Sequence, residues 1–233
     1  MTAGPAPLAR LDLADLRWPG RFAATVLARG APAYAFGAIA VAMVFSTVAA
    51  YRFAATTRFE DVVFGPARSE VIDALLASFG VERTAVIVYL MQRSFDAVIV
   101  ASALTPLFIW LLGSSAVHAA ARIRGVRGRA YLPTVVLFAY AELVYQVPTS
   151  TAAILFGVGH GPGAALSTAI GIVMFVWLAA VVYRGIELHY GARGDSALAI
   201  FLIAALLFYL LPGLLIVAAF VAIVVVAAIL DYF

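Results

Sequence analysis

Five long apolar blocks dominate the chain, separated by short polar clusters: Tyr34–Tyr51, Phe95–Ala121, Leu132–Phe156, Ala164–Tyr183 and Ala197–Leu230. Apolar runs of about 18 residues or more with few charges predict helices that cross a bilayer, not helices of a soluble core. Pro106 falls inside the second block and predicts a kink there, and Pro148 lies inside the third. Small residues recur at every fourth position, as Ala38, Ala42, Ser46 and Ala50 in the first block and as Gly163, Ser167 and Gly171 around the fourth, which predicts close helix approach. The last block is too long for one upright crossing: its 34 residues would extend about 51 Å, against a hydrocarbon core of about 30 Å. Pro212-Gly213 divides it, so one kinked, tilted span with an overhang is expected, with a tight hairpin of two spans as the alternative.

The polar clusters carry shorter patterns. Arg17 to Arg29, "RWPGRFAATVLAR", places Phe22 and Val26 on one face, with Trp18 just ahead and Arg17, Arg21 and Arg29 free to reach phosphates. That pattern predicts a short interfacial helix. Residues 52–94 form the one sizeable segment outside the blocks. Within it "SEVIDALLASFG" offers Ser69 as an N-cap and Gly80 as a stop, with Val71, Ile72, Leu75, Leu76 and Phe79 on one face. A second amphipathic helix is expected there, on the membrane or over the bundle. "GVGHGPG" predicts a tight turn between the third and fourth spans.

Composition agrees with this class: 65% of residues are hydrophobic and 12% charged, against about half and a quarter in soluble domains. There is no cysteine, which excludes disulfides and thiol chemistry, and no lysine. All 15 basic residues are Arg, which with the abundant Ala fits a GC-rich prokaryotic genome. The net charge of +3 suits lipid headgroups better than nucleic acid, which needs a dense basic face. Residues 1–30 hold no continuous apolar core, so the first span is expected to double as the insertion signal. With the N-terminus inside, ten Arg lie on the cytoplasmic side and five, balanced by acids, on the outer side. Positive charge thus predicts a cytosolic N-terminus and, after five spans, a C-terminus outside.

Three stretches resemble one family. "RWPGRFAATVLARG" precedes the first span; "AVHAAARIRGVRGRAYLPTVVLFAYAEL" joins a His-bearing helix end, a basic Gly-rich turn and a span carrying Tyr and then Pro; "WLAAVVYRGIELHYGARGDSALAIFLIA" exits the fourth span through Gly, an acid and His into a small polar turn. Together they resemble the Yip family, the Rab/Ypt-interacting membrane proteins, in its prokaryotic branch. The resemblance covers nearly the whole chain. It implies a five-helix bundle with the N-terminus cytosolic and the C-terminus across the membrane, and it marks Gly185, Glu187 and His189 as a family-like turn. Eukaryotic members bind prenylated Rab-type GTPases through an aspartate-containing N-terminal segment that has no evident counterpart here.

Chemistry concentrates in the third block. Glu142, Tyr145, Gln146 and Thr149 make one polar stripe at helical spacing. A charge at bilayer centre costs about 2.5–3.5 kcal/mol, so Glu142 is expected to keep its proton and share a hydrogen bond, with Tyr183 and Tyr209 as candidate partners. The stripe reads either as a titratable or ligand-binding site, or as interhelical glue worth about 0.6 kcal/mol per bond. Arg122, Arg124, Arg127 and Arg129 stand in one turn without an acid among them, either gripping anionic lipid or a partner's acidic surface, or simply setting topology. His118 and His189 are expected at helix ends on one side of the membrane and His160 opposite; their spacing matches no metal motif. Ser46, Ser102 and Ser167 have no His at their depth, so no catalytic pairing is expected.

The sequence therefore predicts an all-α integral membrane bundle of five transmembrane helices with short interfacial amphipathic helices. Residues 1–30 form its cytosolic N-terminal segment and 31–233 its membrane domain, in a prokaryotic cytoplasmic membrane. It is expected to be a non-enzymatic, cofactor-free scaffold or interaction protein in membrane organisation or trafficking-like processes. Its expected partners are the bilayer, anionic lipids, other membrane proteins or a second copy, and not nucleic acid. The alternative is a small transporter or channel centred on Glu142.

Overall fold

The computed structural model describes residues 16–56, 63–64, 70–157 and 162–232, and every element among them is a helix. These are α1 (Pro19–Arg29), α2 (Pro32–Thr56), α3 (Glu70–Phe79), α4 (Val81–Arg93), α5 (Phe95–Ile123), α6 (Leu132–Phe156), α7 (Pro162–Tyr190) and α8 (Asp195–Tyr232). Within the described residues, four segments are long and apolar enough to cross a membrane: Pro32–Thr56, Val81–Ile123, Gly163–Tyr190 and Asp195–Leu214. The chain is thus built as a helical membrane protein. The expected third span, α6, is a full 25 residues long. Glu142, Gln146 and its Ser, Thr and Tyr residues leave it less apolar than the other four.

The proline and glycine signals resolve differently along the chain. Pro106, Pro148 and Pro212 all lie inside continuous helices. The last block is therefore one helix of 38 residues, about 57 Å long by helical rise, and not a hairpin. Gly80 does stop α3, in a left-handed conformation (φ +78°) that side chains rarely adopt. The proposed cap Ser69 and the turn residue His160 lie outside the described residues.

Three expected boundaries are corrected. Residues 52–56 complete α2, and 81–93 form α4, so much of the segment read as an extramembrane loop is helical. Ser94 keeps helical dihedrals, accepts from Val98 N–H and donates its own N–H to Leu90, so α4 runs on into α5. At the other end α7 does not stop at Tyr183. It continues to Tyr190, so Gly185, Glu187 and His189 are helical, and the turn comes after them at Gly191–Gly194.

The described residues group into two compact units. The first holds residues up to Ala38, Phe108–Glu142 and Val176 onward. Its fully buried side chains include Phe22, Val181, Ile186 and Ile200. Here α1 docks by Phe22, Ala23 and Val26, all buried, and Phe22 meets the Trp177 ring edge-on at 5.1 Å. The apolar face expected to rest on lipid is thus spent on protein, while Arg17, Arg21 and Arg29 stay exposed. A side chain on Gly30 would lie 2.7 Å from Val136, which seats the end of α1 tightly beside α6.

The second unit holds Ile39–Leu107 and Leu143–Phe175. Its part of α2 buries Ala42, Ser46 and Ala50, the repeat expected to allow close approach. Ser46 Oγ donates to the Ser102 carbonyl at 2.7 Å, tying α2 to α5, and Phe53 meets Phe95 at 5.7 Å on the same seam. In α4, Val88 and Thr84 are buried, and the Thr84 hydroxyl is spent on the Gly80 carbonyl at 2.8 Å.

Candidate functional site

In the second unit three helices enclose an open groove of about 300 Å³. α6 supplies Tyr145, Gln146, Thr149, Ser150 and Ala153; α2 supplies Ser46, Ala49, Ala50 and Phe53; α5 supplies Val98 and Ser102. Helical spacing brings Gln146 and Ser150 onto one face, and the Gln146 amide N–H donates to Ser150 Oγ at 2.8 Å. Thr149 turns its hydroxyl back to the Tyr145 carbonyl at 2.8 Å, which leaves its methyl and its lone pairs to the groove. Among the described residues, no acid and no Arg line it. Its chemistry is that of hydroxyls, one primary amide and small apolar groups.

Three of the four residues expected to form a polar stripe, Tyr145, Gln146 and Thr149, therefore share one site. Ser46, Ser102 and Ser150 join them. Ser150 had a signal, four residues beyond Gln146. Ser46 was read as part of the small-residue repeat and, with Ser102, as a serine without a catalytic His; neither carried a local signal for this groove, because their place in it depends on how α5 meets α2.

Glu142 behaves differently. Its side chain has no solvent exposure, and neither carboxylate oxygen has a hydrogen-bond partner among the described residues. The shared bond expected of it is not made. Of the two expected partners, Tyr209 is exposed, and Tyr183 packs its ring on Phe201 at 6.2 Å. Buried polar groups are nearly always satisfied, and an orphaned carboxyl forfeits about 1–3 kcal/mol or more of hydrogen bonding.

A second polar cluster closes the Arg-bearing end of the first unit. Tyr190, at the last position of α7, shares its hydroxyl with Thr134 Oγ1 (2.9 Å) and His118 Nδ1 (3.0 Å). Tyr131 places its hydroxyl between Ser114 (2.9 Å) and Ser115 (2.8 Å) of α5. His189 Nε2 donates to the Ala130 carbonyl at 2.8 Å. The basic turn is thus pinned from α5 and from α7, while Arg122, Arg124, Arg127 and Arg129 are all exposed. The two histidines were expected at helix ends; they serve there as anchors, His118 to a side chain and His189 to the turn's backbone. In the same unit Glu187 is engaged by Arg184 at 2.6 Å within α7, and Gly185 faces buried Leu137 of α6 so closely that a side chain there has no room.

No family model, no curated protein and no solved structure matches this chain.

Proposed function

We propose that the chain is a non-enzymatic, multi-pass protein of a prokaryotic cytoplasmic membrane that holds a partner within the bilayer and organises the membrane around it. The observation that carries this reading is the groove walled by α2, α5 and α6, whose lining, among the described residues, offers hydrogen bonds and no charge or paired catalytic groups. Such a lining binds; it does not activate a nucleophile.

On this reading α6 is the fifth crossing. Its 25 residues reach about 37 Å, enough for the hydrocarbon core. The polar side chains that lower its apolarity are half-buried or buried, from Glu142 to Ser150, so lipid need not meet them. The N-terminus is then cytosolic and the C-terminus across the membrane, with the exposed Arg122–Arg129 turn at the cytoplasmic, anionic surface. This plan is that of the Yip-like proteins the sequence resembles.

The test is affinity capture of the full chain from native membrane, with mass spectrometry of proteins and lipids. The reading expects a reproducible partner that is lost when Ala153→Phe fills the groove. If capture yields nothing specific, or Ala153→Phe leaves every partner in place, the reading fails.

The buried, unpartnered Glu142 favours a second reading, a small transporter in which this carboxyl carries a proton. It expects pH-driven flux in proteoliposomes that Glu142→Gln abolishes. Absence of flux under proton, sodium and potassium gradients would remove it.

A further inference from the structure

We infer that the Arg-bearing end of the first unit is a docking surface for the phosphates of anionic phospholipids, centred on the turn at 124–131. The inference goes beyond the groove and does not use it, so either can fail without the other. Charge is the first argument. Two other segments come together along the last two turns of α7. A side chain on Gly20 of α1 would come within 3.9 Å of the Arg184 stem, and one on Gly191 within 3.7 Å of the Arg129 guanidinium. Across 17–30, 122–132 and 184–196 the sequence carries nine Arg against two acids, Glu187 and Asp195. Glu187 is already spent on Arg184. Arg122, Arg124, Arg127 and Arg129 are exposed, and among the described residues none of them makes an ion pair or a side-chain hydrogen bond. Such an array complements anions. A zwitterionic head would bring a cation too, and on these segments only Asp195 is left to receive it.

Preorganisation is the second. The Tyr131 hydroxyl sits between Ser114 and Ser115, and His189 holds the Ala130 carbonyl. Gly128 bends the turn in a left-handed conformation, φ +79°. The backbone N–H groups of Arg127, Gly128, Arg129 and Ala130 donate to no backbone carbonyl among the described residues, so they are free for an anionic oxygen. A turn held from two sides, with free donors among its Arg, loses little freedom when a phosphate arrives.

Level is the third. Two segments long and apolar enough to cross a membrane end at Ile123 and at Tyr190, and the turn is joined to both ends. A bilayer would place it in the headgroup layer, about 5–8 Å deep on each side. Large apolar side chains stand exposed among the Arg: Ile123 (64%) between Arg122 and Arg124, Leu132 (53%) just past Arg129, and Trp18 (63%) beside Arg17. A free phosphate would leave these side chains in water, and an acidic cytosolic segment would have to displace the headgroups to reach them. A phospholipid brings both the phosphate and the acyl carbon beneath it.

The experiment offers the full chain, in mild detergent, phosphatidylglycerol or phosphatidylcholine with the same acyl chains and measures bound lipid by native mass spectrometry. The inference expects phosphatidylglycerol to bind about tenfold or more tightly, since each Arg near an anionic surface is worth about fivefold. Raising the ionic strength should shrink that preference in the unmodified chain, a readout that needs no variant. Arg124→Gln, Arg127→Gln and Arg129→Gln together should remove most of it, and Lys at the same three positions should keep most of it. Arg83→Gln with Arg93→Gln, two exposed Arg of α4 in the second unit, should leave it unchanged. Equal binding of the two lipids, no response to salt, a Lys variant that falls as far as the Gln variant, or an equal loss in the α4 variant overturns the inference. So does displacement of the lipid by glycerol phosphate, which would assign the surface to a free anion, or by an acidic peptide, which would assign it to a protein.

Discussion

The indole N–H of Trp177 donates to the carbonyl oxygen of Leu16 at 2.9 Å, across 161 positions of sequence. Together with the Phe22 ring packed on the same indole, this bond holds α1 against α7. The N-terminal helix is therefore a docked part of its unit and not a free surface anchor.

Trp177→Ala should release α1 while leaving the long helices intact. One hydrogen bond at about 1 kcal/mol and one aromatic pair at about 0.5–1.5 kcal/mol are lost. Hydrogen exchange in Phe22–Val26 should rise about tenfold or more for such a loss, with no change in α2. Trp177→Phe keeps the ring pair and should show only the smaller part of the effect. Unchanged exchange in both variants would mean that α1 is held by something other than this clamp.

The glycines of α7 should divide by what faces them. A methyl on Gly185 would strike a terminal methyl of Leu137, which is itself buried. Gly185→Ala should therefore cost about 1–3 kcal/mol in reversible unfolding, as overpacking does. Gly171 has nothing within 4 Å of such a methyl, so Gly171→Ala should be neutral or stabilising by up to about 1 kcal/mol through helix propensity. Equal effects at the two sites would contradict the close approach of α6 and α7.

What could be read from sequence, and what could not, follows from the range of each signal. The long apolar blocks are local and decisive, so the helices were legible, and Gly80 was legible as a stop. Boundaries failed where charge was taken as an exit from the membrane. In "RGIELHYGARGDS" Arg184 and Glu187 look like a loop, yet three residues apart they pair on one helix face and permit α7 to continue. In "VERTAVIVYLMQRS" the end charges hide a helix whose Val88 and Thr84 are buried. The polar stripe was legible as a period in α6. Which residues of other helices join it in the groove was not, because Ser46 and Ser102 lie about 40 or more residues away and only folding brings them near.

The Tyr190 hydroxyl bridges Thr134 and His118, so the three should be coupled energetically. Tyr190→Phe leaves the buried Thr134 hydroxyl without that bond and should cost about 1–3 kcal/mol. Thr134→Val removes the other end and alone should cost a similar amount. The double variant should cost clearly less than the two added, by about 0.5 kcal/mol or more, since both delete the same bond. Strict additivity in the double-mutant cycle would mean that the bond contributes nothing to stability.

Glu142 gives the sharpest test, because structure and function pull in opposite directions there. A buried carboxyl with no partner forfeits hydrogen bonds that an apolar side chain never needs, so Glu142→Leu should stabilise the fold by about 1–3 kcal/mol. Glu142→Gln replaces one unsatisfied group by another and should change stability little. Thermal unfolding in mild detergent reads both. If leucine stabilises and partner capture is unaffected, the carboxyl is a burden that the fold tolerates, and the groove alone carries the partner-holding role. If leucine stabilises and glutamine abolishes a proton-dependent flux, the unpaired carboxyl is kept for transport, which is what an expensive buried acid in a membrane helix ordinarily marks. Should leucine instead destabilise by 1 kcal/mol or more, the carboxyl gains more from its surroundings than the geometry accounts for, and its orphaned state would be disproved.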